Sequence, residues 1–492
     1  MRASWTAAAA FMVAGSLSAC KVGPNFNEPK EPVPDKYAGA VHERVSDGNP
    51  DSAWWRQFND SRLDELETQA AAGNLDLKAA FLRIVEARTQ VQAAKAQGLP
   101  SLNATASYNR EQLGLAGILK SQHVDIGPTA SPAERGLIGS LESPVNVYQL
   151  GFDASWELDL FGKVRRAVEA ADANALSAAE ARNDLLVSLE AEVAQTYFQL
   201  RAAQTLRQIT ADQIAAQHGV YELTLNRQQH GLAGEADVDS ARAQWATLQS
   251  QLPPYDQTIA ASKHALAVLT GQTPEALDAE FGEDGALPAL PRTIPVGLPA
   301  TLARRRPDIR QSEAALHAAT AQVGVSVASL FPDISLSGTA GLRNLSTGYL
   351  FDWDSHFYTF GPTVSVPIFH GGALVANVRL SRAQAAEAAL QYRKTVLNAL
   401  QEVEDGLSNL DEDALRTNAL QDSVAANQRS LDVNVDSYNH GLTTYISVLT
   451  VQIQAVQAQQ QLAQAELTQS TDMVKLFKAL GGGWEHVETG KP

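Results

Sequence analysis

From Gln149 to Leu160 the chain alternates without a fault. Leu150, Phe152, Ala154, Trp156, Leu158 and Leu160 fall on one side, and Gln149, Gly151, Asp153, Ser155, Glu157 and Asp159 on the other. A period of two predicts a strand with one apolar and one polar face. Leu102, Ala104, Ala106 and Tyr108 repeat the pattern against Ser101, Asn103, Thr105 and Ser107, as do Ile334, Leu336, Gly338 and Ala340 against Asp333, Ser335, Ser337 and Thr339. A fourth segment alternates more weakly through Tyr358, Phe360, Val364, Val366 and Ile368. The four strands are expected at 101–111, 147–161, 333–344 and 356–369, each about the length a tilted strand needs to cross a bilayer.

Helical periodicity fills the rest. Helices are expected from Leu63 to Gln97 and Thr301 to Ser329, and two very long ones over 163–230 and 372–439. At ~1.5 Å per residue each long helix would reach about 100 Å, beyond ordinary globular helices, and needs coiled-coil packing along its length. Returning helices are expected over 235–270 and 444–480, the first kinked or broken at Pro253-Pro254.

The two halves are copies. Asn74 to Pro100 aligns without gaps onto Arg306 to Pro332, and His230 to Gly271 onto His440 to Gly481, with glycines and prolines in step. The expected organisation is a signal peptide at 1–19, an N-terminal segment at 20–62, a first repeat at 63–272, a linker at 273–299, a second repeat at 300–482 and a tail at 483–492.

Four amphipathic strands could cap a soluble core, or could face lipid on one side and water on the other. In lipid an open sheet edge is forbidden, and small barrels need about eight strands, so the second reading requires several chains to share one barrel. The helices would then lie on one side of the membrane, with the strand-joining loops Gln112 to Pro144 and Leu345 to Ser355 on the other. The His-Gly-Leu turns at His230 and His440 would form the far tip.

The N-terminus gives an address. An apolar run from Ala7 to Val13 closes on Leu17-Ser18-Ala19-Cys20, a short secretory signal. Cys20, the only cysteine, resembles the acylated cysteine of a bacterial lipobox, and Lys21 lacks the inner-membrane retention residue of that class, which implies an outer-membrane anchor. A net charge of −17 and the absence of a basic, aromatic-rich cluster exclude a nucleic-acid binder. The ten histidines show no metal-ligand spacing, and His370-Gly371-Gly372 has no G-x-S-x-G partner, so neither an enzyme nor a bound cofactor is expected. Beyond Met12 the chain holds one methionine, Met473, which argues against soft-metal handling.

Several motifs together carry a resemblance. They are Val22-Gly23-Pro24-Asn25-Phe26, Trp54-Trp55, SWELDLFGKVRR from Ser155, Arg305-Arg306-Pro307-Asp308-Ile309-Arg310, FGPTVSVPIFHGG from Phe360, and Lys478 to Trp484. The chain resembles the TolC-like outer-membrane efflux proteins, in the OprM-like lipoprotein branch, over essentially its whole mature length. The resemblance implies a mainly helical fold with transmembrane strands: a homotrimer whose twelve-stranded barrel, four strands per chain, continues into a periplasmic helical barrel. It implies a periplasmic membrane-fusion adaptor and an inner-membrane RND-type pump as partners, with outer-membrane lipid around the barrel. It also implies a periplasmic gate beside the tip turns at Gly231 and Gly441. By alignment the family's tip aspartate falls on Asp237 and its tyrosine partner on Tyr438. The bridging arginine of TolC falls on Thr443, its two aspartate rings on Ser447 and Thr450, and the leucine gate of OprM on Ile446. The expected constriction is therefore mainly apolar and hydroxyl-lined, with residual charge from Glu235, Asp237 and Asp239, and is blocked by multivalent cations less than one with two full aspartate rings. The function expected is a passive efflux duct for drugs or other small molecules. The exit duct of a protein-secretion system and a lipid-anchored scaffold without a pore are the alternatives.

Overall fold

A computed structural model describes residues 21–29, 32–38, 45–46, 48, 51–112, 144–282, 285–291 and 293–486. The signal peptide, Cys20, nearly all of the loop 112–144 and the end of the tail lie outside the described residues. The chain divides into two compact units. One gathers the chain up to Asn27 with Arg88–Ala173 and His317–Ala386; the other holds Glu28–Ala87, Asn174–Leu316 and the chain from Glu387 on.

In the first unit β1 (Ser101–Glu111), β2 (Val145–Leu158), β3 (Asp333–Asn344) and β4 (His356–Ser365) form one antiparallel sheet in that order. The register aligns the alternation across all four strands. Leu102, Ala154, Gly338 and Phe360 stand in one row, and Ala104, Phe152, Ala340 and Tyr358 in the next. Between them on the opposite face runs Asn103, Asp153, Thr339 and Thr359. A one-residue slip of any strand would mix the faces, so the hydrophobic pattern itself specifies the pairing. The apolar face is uncovered, with Leu102, Phe152, Tyr358 and Phe360 all exposed, Phe360 at 74%. Among the described residues the outer edges of β1 and β4 have no strand beside them.

Three strand ends differ from expectation, the first being the start of β2 at Val145, two residues earlier than expected. β2 stops at Leu158 because Asp159 caps the next helix, its carboxylate accepting from the N–H groups of Val164 (3.1 Å) and Arg165 (2.9 Å). β4 stops at Ser365, ahead of Pro367, which has no donor for the ladder.

The helices are α1 (Ser61–Gly73), α2 (Leu75–Ala96), α3 (Lys163–Gln229), α4 (Glu235–Ser250), α5 (Leu252–Leu269), α6 (Pro299–Arg305), α7 (Pro307–Ala328), α8 (Ala373–Asn439) and α9 (Tyr445–Ala479). Instead of one helix from Leu63 to Gln97 there are two. Asn74 turns extended and caps α2, accepting from Asp76 N–H (2.9 Å) and Leu77 N–H (3.1 Å). The equivalent helix in the second half breaks where Pro307 takes the first position of α7. α4 and α5 part at Gln251, just ahead of Pro253-Pro254, whereas α9 runs unbroken for 35 residues. Among the described residues no helix is long and apolar enough to cross a membrane.

The second unit is cored by aromatic rings. Trp54 stacks on Phe477 at 5.2 Å between centroids, and Phe58 meets Phe198 at 5.0 Å. Burial of such rings contributes roughly 1.5–3 kcal/mol each. This is the place of the Trp54-Trp55 pair.

Candidate functional site

The tip turns in the second unit are built by matching helix stops. Gly231 and Gly441 take positive φ of 72° and 71°, the left-handed geometry that favours glycine. Leu232 N–H donates to Arg227 C=O and Leu442 N–H to Ser437 C=O, each at 2.8 Å, closing the helix ends in the same way. A leucine in this place usually packs back onto its own helix. Here Leu232 is 69% and Leu442 80% exposed, so the two turns present apolar side chains outward.

Behind the turns Ala241, Tyr438, Tyr445 and Val448 form a buried cluster, with Val220, Tyr221 and Leu449 against it. The Arg227 guanidinium lies 4.6 Å from the centre of the Tyr438 ring and donates to Tyr438 C=O at 3.3 Å. Gln217 Nε2 donates to the Tyr445 hydroxyl (3.1 Å) and to Ala241 C=O (3.2 Å). Burial raises the Tyr445 hydroxyl above its ordinary pKa, so it stays a neutral group in this network.

The candidate gate residues divide into two sets. Asp237 is half-buried and accepts from Gly234 N–H at 3.1 Å, so its carboxylate caps α4, where the helix dipole also favours it. Tyr438 is held inward by Arg227. Ile446 and Thr450, one turn apart on α9, are both exposed, and Thr450 Oγ1 donates to Ile446 C=O at 2.8 Å. Thr443 and Ser447 are half-buried. The structure thus brings Ile446 and Thr450 to one outward face but gives Asp237 a capping bond and Tyr438 an arginine. Sequence reasoning missed Arg227, Gln217 and Tyr445. Arg227 sits in the last turn of α3, where a cation suits the dipole, but that alone does not reveal a partner on α8.

The remaining motifs act as fasteners. Arg306 is buried and forks onto both oxygens of Asp308 (3.0 and 2.7 Å), Glu402 (2.6 Å) and Ala479 C=O (2.9 Å), within the second unit. Burial opposes its charge, but Asp308 and Glu402 outweigh this and raise its pKa. Arg310 pairs with Glu180 at 2.6 Å and lies over Trp484. In the first unit buried Arg166 ties down the segment after the expected anchor, donating to Val22 C=O (3.1 Å), Gly23 C=O (3.3 Å), Asn25 Oδ1 (2.7 Å) and Glu169 (2.9 Å). Burial alone would raise the Glu169 carboxyl; hydrogen bonds from Lys21, His317 and Arg166 pull it down to about 2. Phe26 stacks on His317 at 4.3 Å. Among the described residues no three His, Cys, Asp or Glu side chains converge as a metal site.

Comparison with known proteins gives a consistent result. The family model described as "Outer membrane efflux protein" matches residues 66–272 and 298–482, one block in each half of the duplication. The chain is similar to the antibiotic efflux pump outer membrane protein ArpC of Pseudomonas putida, at 30% identity over 96% of this chain and 95% of that protein. It is similar to the cation efflux system protein CusC of Escherichia coli at 28% identity, covering 96% of this chain and 98% of CusC. Its fold matches the solved outer-membrane channel OprN with a TM-score of 0.84 at 31% identity, covering 94% of this chain and all of that one.

Proposed function

The chain belongs to the outer membrane efflux protein family and is an outer-membrane efflux channel protein, and we propose that three copies build each channel. The observation that carries this is the four-stranded sheet, which among the described residues has one bare apolar face and two open edges. β1 and β4 run in opposite directions, so β4 of one copy can pair with β1 of the next and keep the whole barrel antiparallel. Three copies supply twelve strands, enough to close a barrel with water inside. An acylated Cys20 would anchor each copy in the outer membrane, beside lipid held by the apolar face.

The duct is passive: a periplasmic adaptor and an inner-membrane pump of the RND type supply substrate and energy. The exposed tip leucines Leu232 and Leu442 are the surface the adaptor meets. The gate is held shut by Arg227 against Tyr438, with Ile446, Ser447 and Thr450 as its lining, Thr443 beside it and Asp237 fixing α4. Antibiotic efflux is named for one relative and cation efflux for another. Among the described residues the one methionine, Met473, is buried at 2% exposure in α9 and presents no thioether to a passing soft cation. Organic small molecules are therefore the proposed cargo.

Single-channel recording in planar bilayers tests the gate. Wild-type protein is expected to give small unitary steps that multivalent cations block only weakly. Arg227→Gln, which frees Tyr438, is expected to raise the unitary conductance severalfold. A trimeric protein giving no steps, or an unchanged conductance in Arg227→Gln, would reject the gate.

A further inference from the structure

The pore-facing side of the sheet is polar through its deeper levels, and apolar side chains enter it only towards the outer end, at Phe357, Val147 and Val145. Along the face opposite the apolar one lie Ser101, Asn103, Thr105 and Ser107 of β1, Gln149, Asp153 and Ser155 of β2, Ser335, Ser337 and Thr339 of β3, and Thr359 and Thr363 of β4. Phe357 is the single aromatic residue on that face among the described strand residues. Its row reads Thr105, Gly151, Gly341, Phe357.

The glycines in that row are forced. A Cβ on Gly151 would stand 2.7 Å from Ala340 C=O, and one on Gly341 would stand 2.3 Å from Leu150 C=O. No side chain fits between β2 and β3 at this level, so each copy contributes only Thr105 and the phenyl ring. An aromatic beside a glycine often shields sheet backbone, and Phe357 is half-buried in keeping with that. Shielding Gly341 requires the ring on this face, because Gly341 and Phe357 are direct cross-strand partners, so the same contact that covers the backbone sets an aromatic group in the lumen.

Resting on the shared-barrel reading above, we propose that Phe357 and its two copies form an aromatic collar near the outer end of the lumen, a second narrowing distinct from the helix-turn gate. Phe357 is the second residue of β4, immediately after the outward loop, which sets the collar just below the mouth. A twelve-stranded barrel leaves roughly 24 Å between opposing backbones at ~4.8 Å strand spacing and ~40° tilt; three phenyl groups each reaching ~6 Å inward cut that to about half. Asp153 lies one row deeper, accepting from Thr105 Oγ1 at 2.9 Å, and Arg343 one row nearer the mouth. A departing solute therefore passes a ring of carboxylates, then aromatic faces, then guanidinium groups. The collar sets the largest organic solute that leaves and offers aromatic ones a surface to slide along.

Thiol labelling on intact cells tests this without depending on the tip gate. Cys20 is the only native cysteine and is acylated in this reading, so an introduced cysteine is the one reactive thiol. Thr359→Cys lies one row below the collar and Phe360→Cys on the lipid face. A small charged maleimide applied from outside is expected to modify Thr359→Cys and spare Phe360→Cys. A bulky maleimide of roughly 12 Å diameter, near the collar's opening, is expected to react with Thr359→Cys on the order of tenfold faster once Phe357→Ala is added. Phe357→Trp should slow it further, a change misfolding would not produce. Bulky-reagent rates indifferent to Phe357→Ala and Phe357→Trp would overturn the collar and leave the barrel standing. Equal small-reagent labelling of Thr359→Cys and Phe360→Cys would instead overturn the face assignment, and the barrel with it.

Discussion

Glu67 on α1 is 1% exposed, and among the described residues neither of its carboxylate oxygens has a hydrogen-bond partner. Burial, then the nearby negative charges of Glu190 and Asp64, push its pKa well above the ordinary value. Glu190, itself buried on α3, is raised by burial too, against the opposing pull of Arg182. A carboxyl whose folded pKa exceeds its unfolded one stabilises the fold fully only below the unfolded pKa. That contribution is lost as pH rises from about 4.5 towards the folded value. The second unit is therefore expected to lose stability as pH rises above about 4.5. Glu67→Gln should raise the melting temperature at pH 8 and flatten the slope; thermal melts at pH 5 and 8 that match wild type would reject this. At this scale the sequence was legible in part. Arg306 and its neighbour Asp308 stand out in sequence, yet the bonds of Arg306 to Glu402 and Ala479 join segments far apart in the chain. The inward clasp of Tyr438 by Arg227 was hidden for the same reason.

At the level of elements, alternation is what made the strands readable. Period two is a local signal, and the register carries Leu102, Ala154, Gly338 and Phe360 onto one face without exception. Element ends were less readable because they are decided by single polar groups. Asp159 ends β2 by capping α3, and Asn74 breaks a helix by accepting two N–H bonds, neither of which shows in hydrophobic periodicity. The faces make unequal demands. Phe152→Arg puts a cation into lipid at a cost of ~2–4 kcal/mol per chain near the bilayer centre. Outer-membrane fractions should hold much less of this variant than of wild type. Asn103→Arg, in a polar row, should be assembled normally. Equal membrane levels for the two would show that the apolar face does not meet lipid.

On the scale of the whole molecule, the duplication was visible because glycine and proline punctuation survives in both halves, and the family model falls on them as two separate blocks. Copy number was not visible from the residues alone. Four strands state that closure needs other chains, but the count comes from family resemblance and barrel geometry. The open edges of β1 and β4 are the physical form of that requirement. Native mass spectrometry of the detergent-extracted protein tests it most directly. A species of three chains, each heavier than its processed polypeptide by a lipid group, is the expected result. A stable monomer would leave both sheet edges unpaired in the membrane and contradict the shared barrel.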